Sequence, residues 1–189
     1  MRHHQPSHAS EPGLHGFSLI ELLIALAILC TLASIAVPAV SGAVEASRAS
    51  NARSALVVSI MDTINHATLI GTRVVLCPSN DGRTCRDDSD WSNGWIVFSD
   101  DDGDREHAPS EFLIRCQAAL AGKVRLTSTI GRTRLVFQGN GMNAGSNVTF
   151  TLCDGRGPTK AQTLVLSNLG RLRSGTPNAA AIAATCARG

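Results

Sequence analysis

From Phe17 to Val40 the chain is apolar except for short polar side chains and one charged residue, Glu21 near the start of the run. The stretch Leu19–Val40 supplies about the 20 residues that an α-helix needs to cross a bilayer core. A carboxylate at membrane depth costs several kcal/mol unless it finds a partner. Leu22, Leu23, Ile24, Leu26, Ile28 and Leu29 surround Glu21 and offer none. The acid is therefore expected to be neutralised only in an assembled state. A plain membrane anchor with Glu21 at the interface is the simpler alternative, but an anchor alone has no use for the acid.

Pro38 removes a backbone donor and should kink or loosen the helix. Beyond Gly42 the pattern turns amphipathic. Val57, Ile60, Met61, Ile64 and Ala67 recur at steps of three and four, with Arg48, Arg53 and Asp62 between them. Gly71 is a natural helix stop. A helix from Phe17 to Gly71 would reach about 80 Å at 1.5 Å per residue. The expected organisation is a leader over 1–16, a membrane or filament-core helix over 17–42, an amphipathic helix over 43–71 and a β-rich head over 72–189.

The head reads as short strands: Thr72–Cys77, Gly94–Ser99, Glu111–Arg115, Lys123–Ser128, Thr133–Phe137, Val148–Cys153, Thr163–Ser167 and Arg171–Arg173. Turns rich in Gly, Asn and Asp separate them, and no further helix of useful length is expected. The predicted class is α+β: a long amino-terminal helix packed on one antiparallel sheet, or on two small ones.

Composition narrows the chemistry. A net charge of +2 excludes a strong polyelectrolyte, so any nucleic-acid contact must come from a local cluster. Five Phe, two Trp and no Tyr give poor support for a base-stacking platform. Of the six cysteines, Cys30 lies in the apolar run, followed by Cys77, Cys85, Cys116, Cys153 and Cys186. No Cys-x-x-Cys pair occurs, which argues against zinc. A membrane-targeted start favours an oxidising compartment and disulfides. Cys77–Cys85 would close a short loop, and Cys116 is expected as a free thiol buried in a strand.

Motifs of the common hydrolases, metalloproteases and nucleotide-binding loops are missing, so the chain is not expected to be an enzyme and no cofactor is assigned. The run Asp100–Asp104 could offer calcium alternate carboxylates. The spacing is expected to lack the bidentate glutamate of an EF-hand loop, and four acids with Gly suit a solvated hairpin turn better, so no metal ligand is assigned. Trp91 and Trp95 are expected to be packing residues. Gly131-Arg132-Thr133-Arg134 reads as a turn glycine with solvent-facing arginines. Gly170-Arg171-Leu172-Arg173 repeats that pattern, and in a strand Arg171 and Arg173 share a side. Two guanidinium groups so placed could each meet a phosphate, with Arg156, Lys160 and Arg188 extending the patch. Arginines that merely keep a sheet edge soluble fit the same pattern.

The polar leader, the Gly16-Phe17 junction and Glu21 at the fifth position after it resemble a type IV pilin or pseudopilin signal. The resemblance implies cleavage between Gly16 and Phe17 by a prepilin peptidase and methylation of the freed Phe17 amine. It also implies that Glu21 pairs with such an amine on a neighbouring subunit. The leader departs from the usual pattern in having only Arg2 as a fixed positive charge, with His15 where Lys or Arg is common. Further along, Val74-Val75-Leu76-Cys77-Pro78-Ser79, Cys85, and Asp90-Trp91-Ser92-Asn93-Gly94-Trp95-Ile96-Val97-Phe98 resemble the GspH/FimT family of minor pilins and pseudopilins. So do Phe150–Asp154 and Ser167–Arg173.

That family resemblance supports a Cys153–Cys186 bridge pinning the tail and a DNA contact at Gly170, Arg171 and Arg173. It implies a single-pass inner-membrane protein with a periplasmic head that enters a filament with other pilins. The favoured reading is a minor type IV pilin serving pilus biogenesis and DNA uptake in natural transformation. The alternative is a minor pseudopilin of a type II secretion system. A membrane-anchored periplasmic enzyme is a third possibility, disfavoured for want of a catalytic constellation.

Overall fold

The computed structural model describes residues 16–145 and 147–187. The chain divides into a unit ending at Val40 and a unit beginning at Ser41. Helix α1, Leu19–Ile70, is assigned without interruption through Pro38. The division falls two residues after that proline.

In the first unit every described residue is exposed. Ser18 opens α1: its Oγ accepts from the Glu21 N–H at 3.3 Å and its carbonyl from the Leu22 N–H at 3.1 Å. Ser18-x-x-Glu21 has the sequence of a capping box, which pairs orphan donors of the first helical turn. Thr31 and Ser34 donate their hydroxyls to the carbonyls of Ile28 and Thr31, so neither is left unpaired in the apolar segment. α1 is a helix long and apolar enough to cross a membrane.

The second unit is built on the remainder of α1. Its buried positions are Ala49, Ala52, Leu56, Ser59, Ile60, Thr63 and Ala67, a stripe at three- and four-residue spacing. Small residues dominate the stripe and let the sheets approach the helix. Met61, expected on the apolar face, is instead exposed, and Val57 and Ile64 flank the core. Ser59 is satisfied in the core: it donates to the Ala55 carbonyl and accepts from the Trp95 indole N–H at 2.8 Å. Gly71 ends the helix with φ +73°, and its N–H reaches the Ala67 carbonyl. That left-handed cap is strongly favoured by glycine.

Eight strands follow: β1 Arg73–Pro78, β2 Trp95–Asp100, β3 Leu113–Gln117, β4 Arg125–Ser128, β5 Leu135–Phe137, β6 Val148–Cys153, β7 Gln162–Leu166 and β8 Leu172–Gly175. They form two four-stranded antiparallel sheets, ordered β3-β2-β1-β5 and β4-β6-β7-β8. Inward side chains of both sheets meet the helix: Val74, Leu76, Trp95, Val97, Leu135 and Phe137 from the first, and Leu126, Val148, Phe150, Leu152, Leu164 and Leu166 from the second. Trp91 joins them from the loop before β2, edge-on to Phe150 at 5.3 Å. Both tryptophans are fully buried.

The other side of the first sheet is buried too. Val75, Cys77, Ile96, Phe98 and Val136 form a second cluster. Cys77 is bonded there to Cys85. Cys116 is free, but it is exposed on edge strand β3 rather than buried. Among the described residues its strand pairs on one side only, with β2.

One element was not expected: helix α2, Ala179–Cys186. Asn178 caps it by accepting from the Ala181 N–H at 2.7 Å, and alanine fills most of its length. The Cys153–Cys186 bond and a Thr127–Thr185 hydroxyl contact at 2.6 Å hold it on the second sheet.

Candidate functional site

The predicted functional residues fall in two places. In the first unit, Gly16 lies ahead of the helix with open space where a Cβ would stand, and Phe17 is 85% exposed. Glu21 is one turn inside α1, among uncovered leucines and isoleucines. Among the described residues the Gly16–Phe17 junction is thus uncovered, and the carboxylate is the sole charge on the apolar helix surface of this unit.

The second place is the β7–β8 hairpin. Ser167 and Arg171 close it: the Ser167 N–H donates to the Arg171 carbonyl, and Ser167 Oγ accepts from the Arg171 N–H at 3.1 Å. Gly170 supplies φ +75° at the turn, and a Cβ there would stand 3.1 Å from the Gly141 carbonyl oxygen. The hairpin tip is tied down by the Asn143 N–H, which donates to the Asn168 carbonyl at 2.9 Å. Leu172 packs on the core, so Arg171 and Arg173 alternate with it and face outward on an edge strand. Among the described residues, neither guanidinium has an ion-pair or hydrogen-bond partner.

Several other arginines are engaged, although the exposed Arg83 and Arg105 make only backbone contacts. Arg115 pairs with Asp62, Arg86 with Asp88, and Arg134 with both Asp87 and Glu106. The Gly131–Arg134 motif is therefore built into the loops through Arg134. Arg156, expected to extend the basic patch, grips the buried Asp154 with Nε and Nη2 at 3.0 and 2.7 Å. That bidentate hydrogen bond holds the Asp154 carboxyl below its usual range, against the opposing effect of burial. Lys160 lies in a short 3-10 helix, Pro158–Lys160, ahead of the Gln162 end of β7. Arg171 flanks the Leu166 end, so the hairpin separates Lys160 from the arginine pair. Arg188 lies outside the described residues.

An apolar helix opening on a serine cap and a glutamate, whose later turns pack on antiparallel sheets, is the architecture of the type IV pilin class. The model for the type II transport protein GspH matches residues 41–170, and a prokaryotic N-terminal methylation motif matches residues 15–37. The chain belongs to the GspH family. Its fold is similar to the type IV minor pilin FimU of Pseudomonas aeruginosa, at 16% identity over 70% of this chain and 88% of that one, with a TM-score of 0.53. It is also similar to the minor pseudopilin EpsH from the type 2 secretion system of Vibrio cholerae, at 13% identity over 69% and 98%, with a TM-score of 0.50. No curated protein sequence matches the chain at a significant level. The family and the fold are those of pilin and pseudopilin structural components.

Proposed function

We propose that this chain is a minor type IV pilin, anchored in the inner membrane with a periplasmic head until it enters a filament. A prepilin peptidase cuts between Gly16 and Phe17, the new amine is methylated, and Glu21 of one subunit neutralises the amine of a neighbour. The observation that carries this reading is the lone carboxylate on a helix surface that nothing in the unit covers. Burying that surface against other pilins removes apolar area from water or lipid. It tolerates the acid only where an opposite charge arrives with it. Substituting Gly16 should leave the leader attached and give a heavier mature species by mass spectrometry. Maturation at the normal mass would count against the cleavage site.

DNA is the proposed second partner, met by Arg171 and Arg173. They are selected because both are open and face the same way off one hairpin, while Arg115, Arg134 and Arg156 are committed to carboxylates. Two phosphate contacts give weak, sequence-independent, salt-sensitive binding, which several copies along a pilus would strengthen. In a gel shift of residues 43–189, Arg171→Ala with Arg173→Ala should weaken duplex binding at low salt. The slope of log K against log salt should fall by about 2. An unchanged slope removes DNA from this motif. The GspH match supports the alternative, a minor pseudopilin of a type II secretion system. Loss of exoprotein secretion on deletion, with pili intact, would favour it.

A further inference from the structure

We propose that the loop Asp100–Glu111, between β2 and β3, is a calcium site. This inference is independent of the filament and DNA readings. Counted from Asp100, carboxylates stand at the first, third, fifth and twelfth positions: Asp100, Asp102, Asp104 and Glu111. That is the ligand spacing of a twelve-residue calcium loop, closing glutamate included. The sixth residue, Arg105, has φ +67°, at the position where such loops usually place glycine for a sharp turn. One carboxylate oxygen each from Asp100, Asp102 and Asp104 lie within 4.8 Å of one another. An ion bonded at about 2.4 Å can touch oxygens up to about 4.8 Å apart.

Asp100 is not a surface acid. It is 1% exposed. Its Oδ1 accepts from the N–H groups of Gly103 and Arg105. Its Oδ2 is buried with no hydrogen-bond donor. Among the described residues it pairs with Arg73, whose Nε stands 3.5 Å from Oδ2, beyond the usual range of about 2.7–3.2 Å for an N–H···O hydrogen bond. The Arg73 guanidinium lies over the loop, and its Nη2 would be 1.9 Å from a Cβ on Gly103. A buried carboxylate oxygen without a donor is costly unless a cation meets it directly. Arg73 does so at ion-pair rather than hydrogen-bond distance, and its side chain is about half exposed.

Glu111 is 9% exposed and folded back over the loop. Its two oxygens accept from the Asp101 and Ala108 N–H groups at 3.0 and 2.9 Å, which leaves a further lone pair on each. Three aspartate oxygens already stand together; Glu111 lies outside that group and would close on the ion as it binds, and with the seventh-position carbonyl of Glu106 and water the set reaches the six to eight oxygens that calcium prefers. A set so rich in carboxylate suits calcium better than magnesium, which keeps most of its water.

The test is equilibrium dialysis of the full-length protein in detergent against labelled Ca²⁺, with 5 mM Mg²⁺ present. The expected result is one calcium per chain, with a Kd of about 10⁻⁴–10⁻³ M, the range of extracellular modules. Asp102→Asn with Asp104→Asn changes two exposed side chains and keeps an acceptor oxygen at each. It should fold normally by circular dichroism and bind at least tenfold more weakly. Arg73→Gln, which removes the competing guanidinium, should bind severalfold more tightly. No calcium on the parent protein at 5 mM, or equal binding by the parent and the double aspartate variant, overturns the proposal.

Discussion

At the scale of single residues, Glu21 has two possible partners, and they can be separated. The Ser18 Oγ contact places it in a capping sequence, a role that glutamine fills equally well. Pairing with a neighbour's amine needs the charge, so Glu21→Gln divides the two roles cleanly. Asp154 offers a test by pH. Its carboxyl is held below the usual value of 3.8 by Arg156. A group with a lowered folded pKa stabilises fully above the unfolded pKa, and that stability fades as pH falls through the folded one. Asp154→Asn should therefore lower Tm at pH 7, and its deficit against the parent should shrink steadily as pH falls from 5 to 3. A deficit independent of pH would mean that the pair is not acting as an ion pair. In the core, Leu56→Ala should cost about 2–5 kcal/mol in chemical denaturation, since Leu56 is fully buried between helix and sheets.

At the scale of elements, most of the architecture is legible in the sequence. Each of the eight expected strands appears, most with ends shifted by one or two residues, because alternation and turn residues are local signals. The start and stop of α1 are equally local, written in Ser18 and Gly71. What fails is informative. Helix α2 is missed because an eight-residue alanine-rich run has no amphipathic period to read, although Asn178 ahead of it is a cap signal. Met61 and Cys116 are misplaced because burial depends on which neighbours fold over a face. The division into two sheets rests on long-range pairing that no local pattern contains. Glu111 stands seven positions beyond the last aspartate, Asp104, and belongs to their loop only when the positions are counted through to the twelfth.

An isolated helix as short as α2 is marginal in water, so its attachment to the second sheet carries its stability. The Cys153–Cys186 bond spans a sequence separation of 33, against 8 for Cys77–Cys85. Loop entropy then assigns about 3.7 kcal/mol to the first and about 2.5 to the second. Replacing Cys153 and Cys186 together with serine should lower Tm more than the same change at Cys77 and Cys85. The reverse order would show that α2 contributes little beyond its own turns.

At the scale of the whole molecule, two surfaces are left unsatisfied by the chain itself. One is the apolar first part of α1 with its single acid, and the other is the outward arginine pair where the hairpin turn enters β8. The first is legible from sequence alone, because charge within a hydrophobic run needs no structure to be noticed. The second is only half legible. The repeated Gly-Arg-x-Arg spacing names two candidates, and the fold separates them by engaging Arg134 and leaving Arg171 and Arg173 open. The filament reading stands or falls on Glu21, so the direct measurement is the amount of Glu21→Gln protein in purified filaments relative to the membrane pool. Normal membrane insertion with at least a tenfold loss from filaments is the expected result. Glutamine protein entering filaments as readily as the parent would show that no charge pairing governs assembly.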